Sequence, residues 1–270
     1  MTEVLIGTSG YYYPDWIGPF YPTGSRKEDF LGIYSRQFPF CELNFSYYQM
    51  PLRSRLISMM QQTPAGFQFA VKAHKSITHE RGPGSAEQAA EFYHALHPIL
   101  DEGRLAAVLL QFPYSFHHSP ENRKYLAGIL KPLEGLPLNV EFRNREWMLE
   151  RVYEGFRERG IGFVQTDNPE LDNLPLPTAT TTSDTGYIRF HGRNTDNWWS
   201  GDNTSRYDYL YSDHELQSWL CRIEDMAKKV KRLLIAFNNH HNGKAVQNAK
   251  EIYNLIIEHT ELKPAEIKSS

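Results

Sequence analysis

Apolar residues along this chain gather into short runs, half of them ending in polar residues spaced two apart. Val4–Thr8, Cys41–Phe45, Phe67–Ala73, Leu105–Phe112, Leu138–Phe142, Ile161–Thr166, Tyr187–His191 and Arg232–Asn238 read as buried strands. Each is apolar or β-prone and bounded by turn formers. Between them the period lengthens to that of helices. Ser25 with Glu28, Ser85 with Gln88 and Ser212 with Glu215 have the spacing of capping boxes. Pro51 and Ser119-Pro120 mark two more helix starts, and Gly160 closes a helix over 146–159. Pro98 should bend the third helix or end it near Gly103. Gly243 leads into a last helix with Ala245, Val246, Ala249, Ile252, Tyr253 and Ile256 on one stripe. The alternation falters once. Residues 168–184, rich in Pro, Thr and Asp, show no helical period and read as an irregular crossover.

Strands alternating with helices imply a parallel sheet. Eight such units in a chain of 270 residues favour an α/β fold, a single (β/α)8 TIM-type barrel with an irregular connection between strands six and seven. The barrel domain is expected over 1–262, and 263–270 reads as a polar, frayed tail. A doubly wound open sheet is the alternative, but Gly7-Thr-Ser-Gly10 lacks the dinucleotide spacing that such a fold carries after its first strand.

The polar interruptions give the functional signal. Side chains two apart on a strand share a face. Glu42 and Asn44, Lys72 and His74, Glu141 and Arg143, and Arg189 and His191 are such pairs, each at the C-terminal end of its run. Gln111, Asp167, and Asn238 with Asn239 end three of the other four runs. In a barrel of this type, chemistry sits at that end of the strands. Carboxylates, cations and imidazoles sharing one bowl must pair, and pairing perturbs their acidities. A structural ion-pair layer plugging the barrel top is the other reading of the same residues.

Composition narrows the function classes. Net charge is −3, so bulk electrostatics announces neither nucleic acid nor membrane. The two cysteines, Cys41 and Cys221, make no disulfide framework and suit a reducing cytosol. The start of the chain does not read as a signal peptide, and the run at 105–110 is too short to span a bilayer. A cytoplasmic location is expected. Aromatics make up 13% of the chain, and many fall in expected loops, including Tyr11 to Tyr13, Trp16, Tyr47, Tyr48, Tyr114, Trp147, Trp198, Trp199 and Tyr207. Flat rings over a polar bowl suit stacking on nucleobases or sugars, and about half should simply pack the loops onto the barrel.

Six segments carry a resemblance. They are Glu42-Leu-Asn-Phe-Ser-Tyr-Tyr, Phe69-Ala-Val-Lys-Ala-His with Ile77-Thr-His79, Gln111-Phe-Pro, Val140-Glu-Phe-Arg with Trp147, Arg189-Phe-His-Gly-Arg193 and Phe237-Asn-Asn239. In this order, over nearly the whole chain, they resemble the YecE-like family, catalogued as domain of unknown function seventy-two. The resemblance implies a TIM-type barrel and no particular reaction. Phe45-Ser46 departs from the Ser-Thr-Phe usual in that family, which weakens hydroxyl chemistry at that point.

The leading expectation is a metal-independent acid–base enzyme, a hydrolase, lyase or isomerase, acting on an anionic, phosphate-bearing substrate: a nucleotide, nucleic acid or sugar phosphate. Glu141 would be the base or acid, with His191, His74, Glu42 and Asp167 completing the catalytic set. Lys72, Arg143, Arg189 and Arg193 would hold the anion. Gln111, Asn44, Asn238, Asn239, Tyr11, Trp16, Tyr48 and Trp147 would complete the substrate contacts. A Schiff-base role for Lys72 is the less favoured alternative to anion binding, since nearby carboxylates would hold it charged. No cofactor is expected. A divalent metal on Glu42, His74, Glu141, Asp167 and His191 is disfavoured by the cations beside them. The alternatives are a non-catalytic nucleic-acid-binding protein and a metal-dependent phosphodiesterase of the endonuclease-four barrel type. The expected partner is therefore a small anionic ligand or nucleic acid, with no membrane.

Overall fold

The structure, a computed structural model, describes residues 2–267, without the side chains of residues 203 and 204. Nine parallel strands form one sheet: β1 (Glu3–Ser9), β2 (Phe40–Leu43), β3 (Gln68–Lys72), β4 (Leu105–Phe112), β5 (Leu138–Phe142), β6 (Gly162–Phe163), β7 (Gln165–Asp167), β8 (Thr185–Phe190) and β9 (Arg232–Phe237). Their order is β6-β5-β4-β3-β2-β1-β9-β8-β7. The two end strands are successive pieces of the one expected sixth strand, divided at Val164. β6 pairs with β5 and β7 with β8, so a single segment bridges both ends of the sheet and nearly closes the barrel.

The crossover at 168–184 explains the division. It contains no helix, as its composition predicts. Its side chains lace onto the strand instead. Phe163 N donates to Thr182 Oγ1 at 2.7 Å, Thr182 Oγ1 donates to Ile161 O at 2.6 Å, and Gln165 Nε2 donates to Thr180 O at 2.9 Å. Hydroxyl and amide groups thus satisfy backbone and side-chain positions that a regular ladder would have served. Gly162 is needed here, because a Cβ would sit 2.0 Å from Asn139 Oδ1.

Alternation along each strand sorts residues between two cores. Leu138, Val140 and Phe142 of β5 face the helices, whereas Asn139 and Glu141 face the barrel axis. The axial core holds Leu5, Phe40, Ala70, Ala107, Leu109, Tyr187, Leu234 and Ala236. Its alanines leave room for the long side chains of Tyr187 and Arg189, both of which are fully buried. The barrel axis is therefore apolar below and charged above.

Helix boundaries depart locally from expectation. Ser25 caps nothing: a 3-10 turn, Lys27–Asp29, precedes the helix Phe30–Gln37. Ser85 lies inside the helix Ser85–Asp101, and its hydroxyl donates to Gly82 O and Ser76 O, tying down the loop after β3. Pro98 is accommodated within that helix. The second helix starts at Arg53, two residues past Pro51. The expected helix over 146–159 shortens to Glu150–Arg157 behind a 3-10 turn, Arg145–Trp147. Ser119 and the Ser212/Glu215 capping box behave as read. The frayed tail does not describe 263–267. Ala265 N donates to Val4 O at 2.8 Å and Ile267 is buried, so this segment packs against the N-terminal end of the barrel. Residues 268–270 of the expected tail lie outside the described residues. Among the described residues no helix is long and apolar enough to cross a membrane.

Candidate functional site at the barrel mouth

β2, β5 and β8 bring Glu42, Glu141 and Arg189 to one height. Arg189 bridges the two carboxylates. Its Nε and Nη2 donate to Glu42 Oε2 and Oε1 at 2.7 and 2.6 Å, and its Nη1 donates to Glu141 Oε2 at 2.5 Å. Arg143 Nε takes the other Glu141 oxygen at 2.5 Å, and the Tyr187 hydroxyl donates to Glu42 Oε2 at 2.5 Å. Both carboxylates are fully buried. Burial alone would raise their pKa, but the facing guanidinium groups outweigh it. Glu42 is held below the usual carboxylate range by Arg189, and Glu141 well below it by Arg189 and Arg143. Both are ionised and saturated with charge-assisted hydrogen bonds.

His191 completes this floor. Asn238 Nδ2 lies 3.1 Å from its Nδ1, and its Nε2 lies 3.2 Å from Glu141 Oε1. An amide donor at Nδ1 and a carboxylate acceptor at Nε2 select the tautomer protonated on Nε2. Burial, then the Arg143 charge, pushes its pKa down to about 3, so it stays neutral.

Above the floor opens a cavity of about 600 Å³. Its cations are Lys72, Arg143, Arg189 and Arg206, and no Asp or Glu among the described residues lines it. Tyr13, Tyr47, Tyr48, Tyr114, Trp198, Trp199 and Tyr207 supply aromatic walls. Trp199, from the long loop after β8, meets Tyr114, from the loop after β4, edge-on at 4.8 Å, so rings from two loops meet over the bowl. Gly192 starts that loop at φ +88°, where a Cβ would lie 2.7 Å from Tyr209 Cβ.

Lys72 stands apart from the other charges. Its Nζ lies 4.5 Å from the Tyr47 ring centre, and no carboxylate among the described residues is within ion-pair distance of it. Burial, then the Arg189 charge, lowers its pKa to about 8. Because the folded value is below the unfolded one, the unfolded chain binds more protons between about pH 8 and 10.4, and stability gains with pH across that window. Lys72→Met should therefore melt above the wild type at pH 7, with the gap closing between pH 8 and 10. A constant gap in differential scanning fluorimetry across that range would contradict this. His79, held by Thr78 Oγ1 at 2.9 Å, is pushed down to about 4 by burial and by Lys72 and Arg143. For Tyr207, burial raises the phenol, but Arg143 and Lys72 prevail and lower it.

The sequence-predicted residues thus divide. Lys72, Arg143, Arg189, Gln111, Asn44, Asn238 and Tyr48 line the cavity. Glu42, Glu141 and His191 form the ion-paired floor beneath it. Seven others are placed elsewhere. Asp167 accepts from Arg193 Nε and Nη2 at 2.9 and 2.6 Å, from the Tyr211 hydroxyl at 2.7 Å and from Trp219 Nε1 at 2.6 Å, so Asp167 and Arg193 form a side cluster off the cavity. His74 turns to Ser76 Oγ at 2.8 Å, outside the cavity lining, and His79 takes the place expected for it. Asn239 is spent on Tyr209 O and Asn248 Oδ1. Tyr11 lines a neighbouring hollow. Trp16 and Trp147 are core residues whose indoles donate to His240 O and Phe116 O. Arg206 and His79 also line the cavity without being expected there, and Tyr207 takes a place over the bowl as the loop aromatics suggest. For Arg206 the available signal was its place beside Tyr207 in an aromatic-rich loop. Among the described residues no three of His, Cys, Asp and Glu converge as ligands.

Comparison with known proteins agrees with this architecture. The chain matches the family described as protein of unknown function DUF72 over residues 5–269. It is 31% identical to the UPF0759 protein YunF of Bacillus subtilis, covering 98% of this chain and 99% of that one. Among solved structures it resembles a DUF72 family protein of Thermotoga maritima, with a TM-score of 0.87 and 36% identity, over 94% of this chain and 99% of the other. A DUF72 family protein of Enterococcus faecalis shares the fold, with a TM-score of 0.85 at 23% identity over 99% and 98% of the two chains. This chain therefore belongs to the DUF72 family.

Proposed function

We propose that the barrel mouth binds a small anionic substrate, phosphate- or carboxylate-bearing, and performs metal-independent acid–base chemistry on it. The supporting observation is the sign of the lining: four cationic side chains and, among the described residues, no carboxylate. Arg189 and Arg143 are balanced from below by Glu42 and Glu141, whereas Lys72 and Arg206 are not. Arg206 Nε is buried with no hydrogen-bond acceptor among the described residues. Buried donors without acceptors are costly, and an anion would satisfy them. The cavity volume lies within the usual range for small-molecule sites. The groups that could exchange protons with a ligand are those on its surface, Lys72, Tyr207 and His79, with Glu141 and His191 holding Arg143 in place.

Two other readings have less support. A nucleic-acid strand needs a long basic groove, whereas these cations converge in one bowl beneath aromatic loops. A metal-dependent phosphodiesterase needs carboxylates free to ligate, whereas Glu42 and Glu141 accept from guanidinium groups at both oxygens.

Thermal denaturation with inorganic phosphate at constant ionic strength tests the proposal. Saturating phosphate should raise the melting temperature, the gain being about 2.7 kcal/mol at a hundred times Kd. Arg206→Met should cut the response about tenfold in apparent Kd, because it removes a guanidinium without stranding a carboxylate. A melting temperature indifferent to phosphate, sulfate and small carboxylates alike would sink the proposal.

A further inference from the structure

We propose that Lys72 is a nucleophile, condensing through its amine with the carbonyl carbon of an aldehyde or ketone that also carries the anionic group. This deepens the anion-binding reading and rests on it. Three observations lead here. Lys72 reaches the cavity from the C-terminal end of β3, a rigid element, with Nζ held over the Tyr47 ring rather than in an ion pair. The carboxylates that would keep it charged, Glu42 and Glu141, have all four oxygens occupied by Arg189, Arg143, Tyr187 and His191. Arg143 and Arg206 line the same cavity and can hold an anion, which leaves the amine free to react.

The charged surroundings agree. The groups acting on Lys72 are Arg189, which lowers its proton affinity, and Tyr207, Glu42 and Glu141, which raise it less than burial lowers it. With a value near 8, about 10% of the amine is neutral at pH 7, against well under 0.1% for an exposed lysine. A neutral amine is the nucleophile in imine formation, and an apolar or cationic neighbourhood is the usual means of producing one.

The step balances without oxidant or reductant. The amine lone pair forms a C–N bond as the carbonyl π pair moves to oxygen, which takes up a proton to give a carbinolamine. Loss of that hydroxyl with a second proton as water leaves a protonated imine. Overall, ammonium plus carbonyl gives iminium plus one water. Tyr207, a phenol whose proton Arg143 and Lys72 loosen, lines the same cavity and is the candidate donor to the departing hydroxyl. The cationic imine would then serve as an electron sink for bond cleavage or proton removal next to the former carbonyl.

Pyridoxal 5′-phosphate is a suitable probe, since it joins an aldehyde, a phosphate and a flat ring. The protein is treated briefly with it at pH 7, reduced with borohydride and mapped by peptide mass. Lys72 should be modified about 10–100-fold faster than exposed Lys124 or Lys229. Inorganic phosphate should protect Lys72 and not the exposed lysines. Lys72→Arg should lose the fast adduct while leaving the reactivity of Lys124 and Lys229 unchanged. If phosphate stabilises the protein but Lys72 reacts no faster than Lys124, the nucleophile is refuted while anion binding stands. Fast, phosphate-indifferent modification of Lys72 with no melting response would uphold the nucleophile and refute the anion site. Failure of both responses would refute both.

Discussion

Arg189→Met is expected to destabilise the protein by about 3–5 kcal/mol, the cost of breaking a buried ion pair by removing one partner. For a chain of this size that is a fall of roughly 10 °C in melting temperature. Arg189 is 1% exposed, and three of its N–H groups hold two fully buried carboxylates from two other strands, β2 and β5. Methionine fills the space but leaves Glu42 without its counter-charge and Glu141 with Arg143 alone. The pH dependence identifies the cause. In the wild type both carboxyls have lowered values, so their contribution is present above the unfolded value near 4.3 and fades as pH falls below it. In Arg189→Met the stranded Glu42 should instead have a raised value, so the deficit is greatest near neutrality and shrinks as pH falls towards 4. Adding Glu42→Gln should recover part of the loss. Urea melts at pH 5 and 8 decide the matter, and a loss under about 1 kcal/mol, or a deficit independent of pH, would show that this network does not brace the barrel.

Asp167→Asn should cost a similar amount, about 3 kcal/mol, while leaving the phosphate response intact. Asp167 accepts four hydrogen bonds at 2.6–2.9 Å from Arg193, Tyr211 and Trp219 and donates none. An asparagine of the same shape must point an NH₂ at one of those donors and leaves Arg193 with Glu215 as its remaining ion-pair partner. Buried charge-assisted bonds of this kind are worth more than neutral ones, and losing one partner strands the rest. The cluster ties the C-terminal end of β7 to the loop after β8 and to the helical segment that follows, so the loss should appear in unfolding measurements. If Asp167→Asn instead melts like the wild type but loses phosphate binding, Asp167 belongs to the mouth and the division drawn between floor and side cluster is wrong.

The sequence alone determined the strands, the barrel and the end of the barrel that carries the polar residues. The reason is local: alternation at period two is a property of each strand by itself, and Glu141 with Arg143, or Arg189 with His191, announce a shared inward face without reference to any other strand. The helix-free crossover was legible for the same reason, since proline and threonine exclude a helical period wherever the chain goes. Three things were decided only by the tertiary structure. Which inward residue reaches the cavity depends on height within the barrel, so Glu141 became floor and Lys72 became wall although both sit near strand ends. Partner choice also depends on strands far apart in sequence. Arg189 captured both carboxylates, and burial with the Arg189 charge outweighs their remaining pull on the Lys72 proton. Loop residues were least legible. Trp16 and Trp147 went into packing and Trp198, Trp199 and Tyr207 went over the mouth, because a loop aromatic carries no periodicity to say which way it turns.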